Sequence, residues 1–216
     1  MLGNGVYQVL FVEGLTLTRA GDAAIVMATS PALIAIVGRI HGSERVGARA
    51  AAGMLLSMSG IAWVVLGGAH AGVKGSSIGG DLLIFAGLFC WAVYAILLTP
   101  YTRRVDGVTL SAYTMLGGML VVVSVALPEL ARTAWGSVPP RAWGAIAFSG
   151  LGALVVAYLF WYRGVRVIGP TRTAMNSNLQ PVFALLMAWA MLAETPTVWQ
   201  GVGVASVTVG LLLTRA

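Results

Sequence analysis

Seven stretches free of Asp, Glu, Lys and Arg constrain this chain more than any other feature; they run 23–38, 50–69, 82–102, 107–128, 142–162, 173–193 and 195–214. Six of them reach 20 residues or more. A bilayer core about 30 Å thick needs about 20 helical residues, because lipid offers no partner to unpaired backbone groups. The short run, 23–38, extends through Arg39 and Ile40 if Arg39 snorkels. An eighth apolar segment, 1–18, carries one acid, Glu13, and no cation before Arg19. It lacks a basic leader and a small-residue cleavage pattern, so it reads as a span and not as a signal peptide. The expectation is an all-α integral membrane protein with eight transmembrane helices, at roughly 2–18, 22–41, 48–66, 81–102, 107–128, 141–163, 172–193 and 196–214.

Composition agrees with lipid as the main solvent. Only 9% of the 216 residues are charged and 58% are hydrophobic, whereas a soluble domain has about 25% charged residues. The net charge of +6 is spread over 13 cations along the chain, not gathered on one face as a nucleic-acid binder would have it. The single cysteine, Cys90, excludes an intrachain disulfide framework and a CxxC metal site. His41 and His70 lie far apart in loops with no HExxH pattern, which argues against a metal. No Walker loop or paired-carboxylate motif occurs, so neither an enzyme nor an ATP-driven pump is expected, and no cofactor is called for.

Eight consecutive spans assign the loops to alternating sides. One side collects Arg39, Arg45, Arg49, Arg103, Arg104, Arg163, Arg166, Arg172 and Arg215 against Glu44 and Asp106. The other collects Arg19, Lys74, Arg132 and Arg141, balanced by Asp22, Asp81, Glu129 and Glu194. The positive-inside bias makes the first side cytoplasmic and puts the C-terminus inside, in the plasma or inner membrane.

Sliding the chain on itself by 150 residues pairs Gly14 with Gly164, Ala24 with Ala174, Pro31 with Pro181, Glu44 with Glu194, Gly53 with Gly203 and Gly60 with Gly210. Glu44 falls inside and Glu194 outside, so the two copies are inverted, an arrangement common in secondary transporters. The C-terminal copy, 81–214, has five helices and the N-terminal copy, 1–66, has three; the glycine-rich stretch 67–80 is the linker between them. Two inverted five-helix repeats would make ten spans, and about 70 residues with two helices are expected before Met1.

Gly169-Pro170, Asn178-Leu179-Gln180-Pro181, Ala193-Glu194 and Gly201-Val202-Gly203 through Gly210 resemble the C-terminal half of the EamA-type transporters of the drug/metabolite transporter superfamily. Segment 14–66 resembles the end of the N-terminal EamA repeat. The resemblance implies a ten-helix inverted-repeat exporter of small metabolites.

Several side chains are candidates for a substrate cavity. Pro31 and Pro181 each remove a backbone donor within a span, which kinks helices; such helices line transporter cavities, although prolines are also simply tolerated in membranes. Asn176 and Gln180 share a face with Thr173, Phe183 and Met187. They should face a cavity or a partner helix, whereas Asn178 points the other way as packing glue. The matching N-terminal face, Ala23, Val26, Ser30, Leu33 and Val37, is far less polar. Trp91 and Tyr94 lie mid-span and Tyr158 follows on another helix, while Trp161, Tyr162 and Tyr101 read as interface anchors. Asn4 and Gln8 share a face that could join the cavity. Glu13 is a candidate for proton coupling; alternatively it snorkels or pairs with Arg19, about 9 Å away by helical rise. Gly53, Gly60, Gly203 and Gly210 form smooth stripes for close helix contact.

The expected function is export of small organic metabolites or drugs by alternating access, with a lipid bilayer and a small-molecule substrate as partners and a homodimer as the candidate oligomer. The alternative is a non-transporting membrane protein, a truncated remnant or a scaffold.

Overall fold

A computed structural model of the chain describes residues 1–18, 23, 26–44, 46–68, 78–180, 183 and 198–215. Among these every regular element is helical. A π-helical turn, Leu2–Val6, runs into α1 (Tyr7–Leu17). Then come α2 (Ser30–Ile40), α3 (Ala48–Gly68), α4 (Ile78–Thr102) and α5 (Gly107–Arg132). After a 3-10 turn at Trp135–Ser137, α6 (Pro140–Phe148) continues through a π-helical segment, Ser149–Val156, into α7 (Ala157–Ile168). Next are α8 (Pro170–Ser177) and α9 (Val198–Arg215). Three described helices are long and apolar enough to cross a membrane: Ile78–Thr102, Gly107–Arg132 and Pro140–Ile168. The shortest, 25 residues, extends about 38 Å at 1.5 Å per residue, more than the hydrocarbon core. Large apolar side chains such as Phe148, Leu151 and Phe160 stand exposed along the last, as lipid-facing residues do.

Local chemistry sets the helix ends. α2 closes in a Schellman motif: Gly42 takes φ +76°, Ser43 N–H donates to Gly38 O and Gly42 N–H to Arg39 O. Gly169, at φ +85°, ends α7, and Pro170 opens α8 without wasting a donor. Thr18 Oγ1 donates to Asp81 Oδ1 at 2.5 Å, tying the end of α1 to the start of α4. Asp106 caps α5 by accepting from Thr109 N–H at 2.9 Å. Hydrogen bonds from Thr109, side chain first and backbone second, hold the Asp106 carboxyl below its ordinary range. A depressed carboxyl contributes stability above its unfolded pKa, and that contribution is lost as pH falls through the folded value. The unfolding midpoint of Asp106→Asn is therefore expected to show a shallower acid limb than wild type in a pH series.

Glu44, in the loop after α2, caps a helix distant in sequence. It accepts from Thr171 N–H at 3.4 Å and from the Thr171 hydroxyl, so a carboxylate sits at the positive end of α8. Glu44→Ala should lower stability by about 1–2 kcal/mol, measurable as a lower unfolding midpoint in detergent, with Glu44→Gln retaining part of it.

The most extensive helix contact joins α3 to α9. A Cβ on Gly60 would lie 2.6 Å from Gly203 O, and one on Gly210 would lie 2.6 Å from Gly53 O. The helices therefore run antiparallel with their backbones nearly touching, the arrangement that glycine stripes permit. Ser57 and Val207, midway along the contact, are fully buried. The Asn178 amide donates to Ser57 Oγ at 2.8 Å, so this buried asparagine glues the extension of α8 to α3. Trp63 stacks on Trp199 with ring centroids 5.1 Å apart.

Boundaries recur 150 residues apart. The π-helical segments end at Val6 and Val156. Helical structure is interrupted by turns at Thr29 and at Asn178-Leu179, in each case just before a proline. Pro31 thus sits in the first turn of a restarted helix and is buried. Pro181, Glu194 and most of the 67–80 linker lie outside the described residues.

Candidate functional site

Where α1, α4 and α7 meet, their aromatic side chains form one cluster. Trp91 of α4 is its hub: its ring lies 5.3 Å from Tyr7 of α1, 5.4 Å from Tyr94, 6.0 Å from Tyr158 and 5.1 Å from Trp161 of α7. Tyr7 stacks on Phe11 and Tyr158 meets Tyr162 edge-on. The sequence brings these rings together through helical spacing: Tyr7 and Phe11 are four apart, Trp91 and Tyr94 three, and Tyr158, Trp161 and Tyr162 fall at i, i+3 and i+4. Small residues let the helices close. A Cβ on Gly3 would strike the Tyr94 ring, and one on Gly14 would lie 2.9 Å from Gly80 O. Leu33 and Val37 of α2 pack, with Trp91 and Trp161, against a core of Ile34, Ala92, Ala95, Ile96 and Ala174.

A hydroxyl chain runs beneath the rings. Tyr94 and Tyr162 share a hydrogen bond of 2.8 Å, Tyr162 and Thr114 of α5 share one of 2.7 Å, and Thr114 also donates to Leu110 O at 2.9 Å. α4, α7 and α5 each contribute one hydroxyl, which satisfies polar groups that would be costly in an apolar interior. Among the described residues, two buried polar groups have no such partner: the indole Nε1 of Trp161 and the side-chain amide of Asn4, on the π-helical turn beside Gly3. An apolar wall with a few unmet donors and acceptors is the usual composition of a small-molecule site.

Trp91, Tyr94 and Tyr158, expected at a cavity from sequence, come together here. The reading of Trp161 and Tyr162 as interface anchors is corrected: Tyr162 is 2% exposed and Trp161 buries its indole nitrogen, because α4 and α5 close over this end of α7. Tyr101 is exposed. Gln8 is half-buried next to Tyr7, and Ser30 is half-buried at the start of α2. Asn176 and Gln180 are exposed and stand apart from the cluster, with Asn176 Nδ2 donating to Arg172 O of its own helix at 2.9 Å. Glu13 is exposed on α1, where Thr16 donates to its backbone carbonyl; Arg19 lies outside the described residues. Tyr7 and Thr114 were not singled out by sequence. Tyr7 could have been found from its i, i+4 partnership with Phe11 on the first helix, but Thr114 carries no signal that separates it from other membrane threonines.

Three comparisons with known proteins bear on this arrangement. The EamA-like transporter family matches residues 1–66 and 78–216. The chain is 32% identical to the "Uncharacterized transporter YyaM" of Bacillus subtilis over 98% of its own length and 70% of that protein. It is 29% identical to an "Uncharacterized transporter" of Archaeoglobus fulgidus, over 97% of this chain and 75% of that one. A "Probable terminal-alkyne amino-acid exporter" of Streptantibioticus cattleyicolor is 25% identical over 98% and 69% respectively. Against some other relatives the chain spans less, as little as 58% of their length. A crystal structure at 21% identity superposes with a TM-score of 0.80, covering 97% of this chain and 73% of that one, and shares its fold. With helical elements throughout its described residues, long apolar helices among them, and a family match along nearly its whole length, this chain belongs to the EamA-like transporter family.

Proposed function

We propose that this chain acts as a secondary carrier that exports small organic solutes by alternating access, with the aromatic cluster of α1, α4 and α7 forming one wall of the solute path. The single observation that carries this reading is the meeting of Trp91, Tyr94, Tyr158 and Trp161 between three helices, with a buried indole N–H left without a partner. Such a surface suits a solute with an apolar or cationic body, through ring contacts, and one hydrogen-bond acceptor for the indole.

Alternating access needs two units that can rock, and the 150-residue recurrence supports an inverted repeat. Exchanging each residue with its mate turns the Gly60–Gly203 contact into the Gly210–Gly53 contact, and the mates α3 and α9 run antiparallel. The arginine-rich end is read as cytoplasmic, with the C-terminus inside. Gln8, Ser30, Asn176 and Gln180 extend the path beyond the aromatic wall, and Pro31, in the first turn of α2, marks a helix break. Glu13, the acid within the first apolar segment, is the candidate coupling group.

Flux of a solute panel into proteoliposomes, with and without a proton gradient, tests the reading. Asn176→Leu with Gln180→Leu is expected to reduce flux about tenfold, as loss of one or two hydrogen bonds would, while the protein inserts normally. Unchanged flux would remove both amides from the path. The absence of flux for any solute would favour a non-transporting membrane protein.

A further inference from the structure

A cavity lies at the end of the fold where the arginines gather. It encloses 410 Å³ between the last residue of α4, the loop to α5, the first turn of α5 and the C-terminal half of α7. Its walls are Val105, Leu110, Leu159 and Val167 on the apolar side and Arg163 and Arg166 on the polar side. The two arginines are three apart on α7 and therefore share a face. Both are exposed, and among the described residues neither makes an ion pair or side-chain hydrogen bond.

The other polar groups of the lining are already engaged. The Tyr162 hydroxyl is held by Tyr94 and Thr114, and Thr102 Oγ1 donates to Thr99 O. Asp106, the one acid in the adjoining loop, spends its carboxylate on capping α5, while Arg103 and Arg104 in the same loop add positive charge. The free recognition capacity is thus two guanidinium groups above an apolar floor. Guanidinium forks match phosphate oxygens in a bidentate way, and no free hydroxyl or amide lines the cavity to select a neutral polyol. Val167 is 72% exposed beside the cavity, and Phe160 on the same helix is 71% exposed. The opening is therefore flanked by side chains that face acyl chains.

We infer that the α4–α5–α7 cavity binds an anionic phospholipid, its phosphodiester held by Arg163 and Arg166 and the upper acyl carbons lying on Val105, Leu110, Leu159 and Val167. Basic pockets between membrane helices recognise lipid headgroups in this way. A choline headgroup would bring its own cation to an end of the fold that already carries Arg163, Arg166 and, in the adjoining loop, Arg103 and Arg104, which disfavours a zwitterionic lipid. The cavity borders the aromatic cluster at Tyr162, Leu110 and Val105, whereas Arg163 and Arg166 make none of its ring contacts, so substitution of the two arginines tests lipid binding separately from solute transport.

Native mass spectrometry of the purified protein titrated with phosphatidylglycerol, phosphatidylcholine or glycerol phosphate tests this. The expected result is one saturable phosphatidylglycerol site that glycerol phosphate does not occupy, because the headgroup alone lacks the apolar contacts. Arg163→Gln with Arg166→Gln should weaken it about thirtyfold, and the charge-preserving Arg163→Lys with Arg166→Lys should recover only part of that loss, because lysine keeps the charge but not the bidentate fork. Arg39→Gln with Arg49→Gln, which removes equal charge from the same side outside the cavity, should leave the site intact. Equal binding of phosphatidylglycerol by the Arg163/Arg166 glutamine variant and wild type would overturn the inference. So would equal loss in the Arg39/Arg49 variant, or glycerol phosphate binding as tightly as the lipid.

Discussion

Alanine at Gly60 is expected to destabilise the protein by about 3 kcal/mol, the upper end of what overpacking costs. The added Cβ would lie 2.6 Å from Gly203 O and 2.8 Å from Val207 N, both backbone atoms that cannot rotate away. α3 and α9 would have to separate along their length, weakening the buried contacts of Ser57, Ile61 and Val207. Gly210→Ala should cost nearly as much, since its Cβ meets Gly53 O and Ser57 N at almost the same distances. The double variant should fall short of the sum, because the first methyl already opens the space the second needs. Gly201→Ala is the control: no described residue lies within 4 Å of its added Cβ, so its stability should change by less than about 0.5 kcal/mol. Unfolding by titration with SDS in mixed micelles measures all four.

The second large effect is expected at Trp91. Its indole touches Tyr7, Tyr94, Tyr158 and Trp161, so it holds rings from three helices in one arrangement. Trp91→Ala should destabilise the fold by about 3–5 kcal/mol through the cavity it leaves. Trp91→Phe keeps an apolar ring and most of the packing, and separates the two roles. If the cluster contacts solute, loss of the indole face should weaken solute affinity about tenfold, at the upper end of what one aromatic contact contributes, while the unfolding midpoint moves much less than in the alanine variant. A solute that alters indole fluorescence in wild type should do so less in Trp91→Phe. Equal solute affinity in the two proteins would limit Trp91 to packing.

Much of this architecture is written in the sequence because lipid leaves few choices. A run of 20 apolar residues in a bilayer must be helical, so α4, α5 and the long segment through α7 were legible from charge-free length alone. The paired glycines were legible because their 150-residue recurrence preserves a seven-residue spacing that only a close helix contact requires. The role of Asn178 was legible too, since it lies opposite Asn176 on the helix and reaches Ser57. Burial near helix ends was not legible. Tyr162 sits one residue from Arg163, which marks a membrane boundary, yet α4 and α5 cover it, and only the relative shift of three helices decides that. The cap that Glu44 provides to α8 links residues 127 positions apart, a distance at which spacing carries no information. The Arg163–Arg166 cavity is of the same kind: the arginines are visible as topology signals, but the apolar floor is assembled from three separate elements.

Solute flux by the reconstituted protein tests the central claim most directly, with wild type, Trp91→Phe and Gly201→Ala compared at equal insertion. Gradient-driven flux of at least one small organic solute is predicted in wild type and Gly201→Ala, with about tenfold less in Trp91→Phe at limiting solute. A correctly inserted protein that moves no solute, or one whose flux is the same in all three, would contradict it.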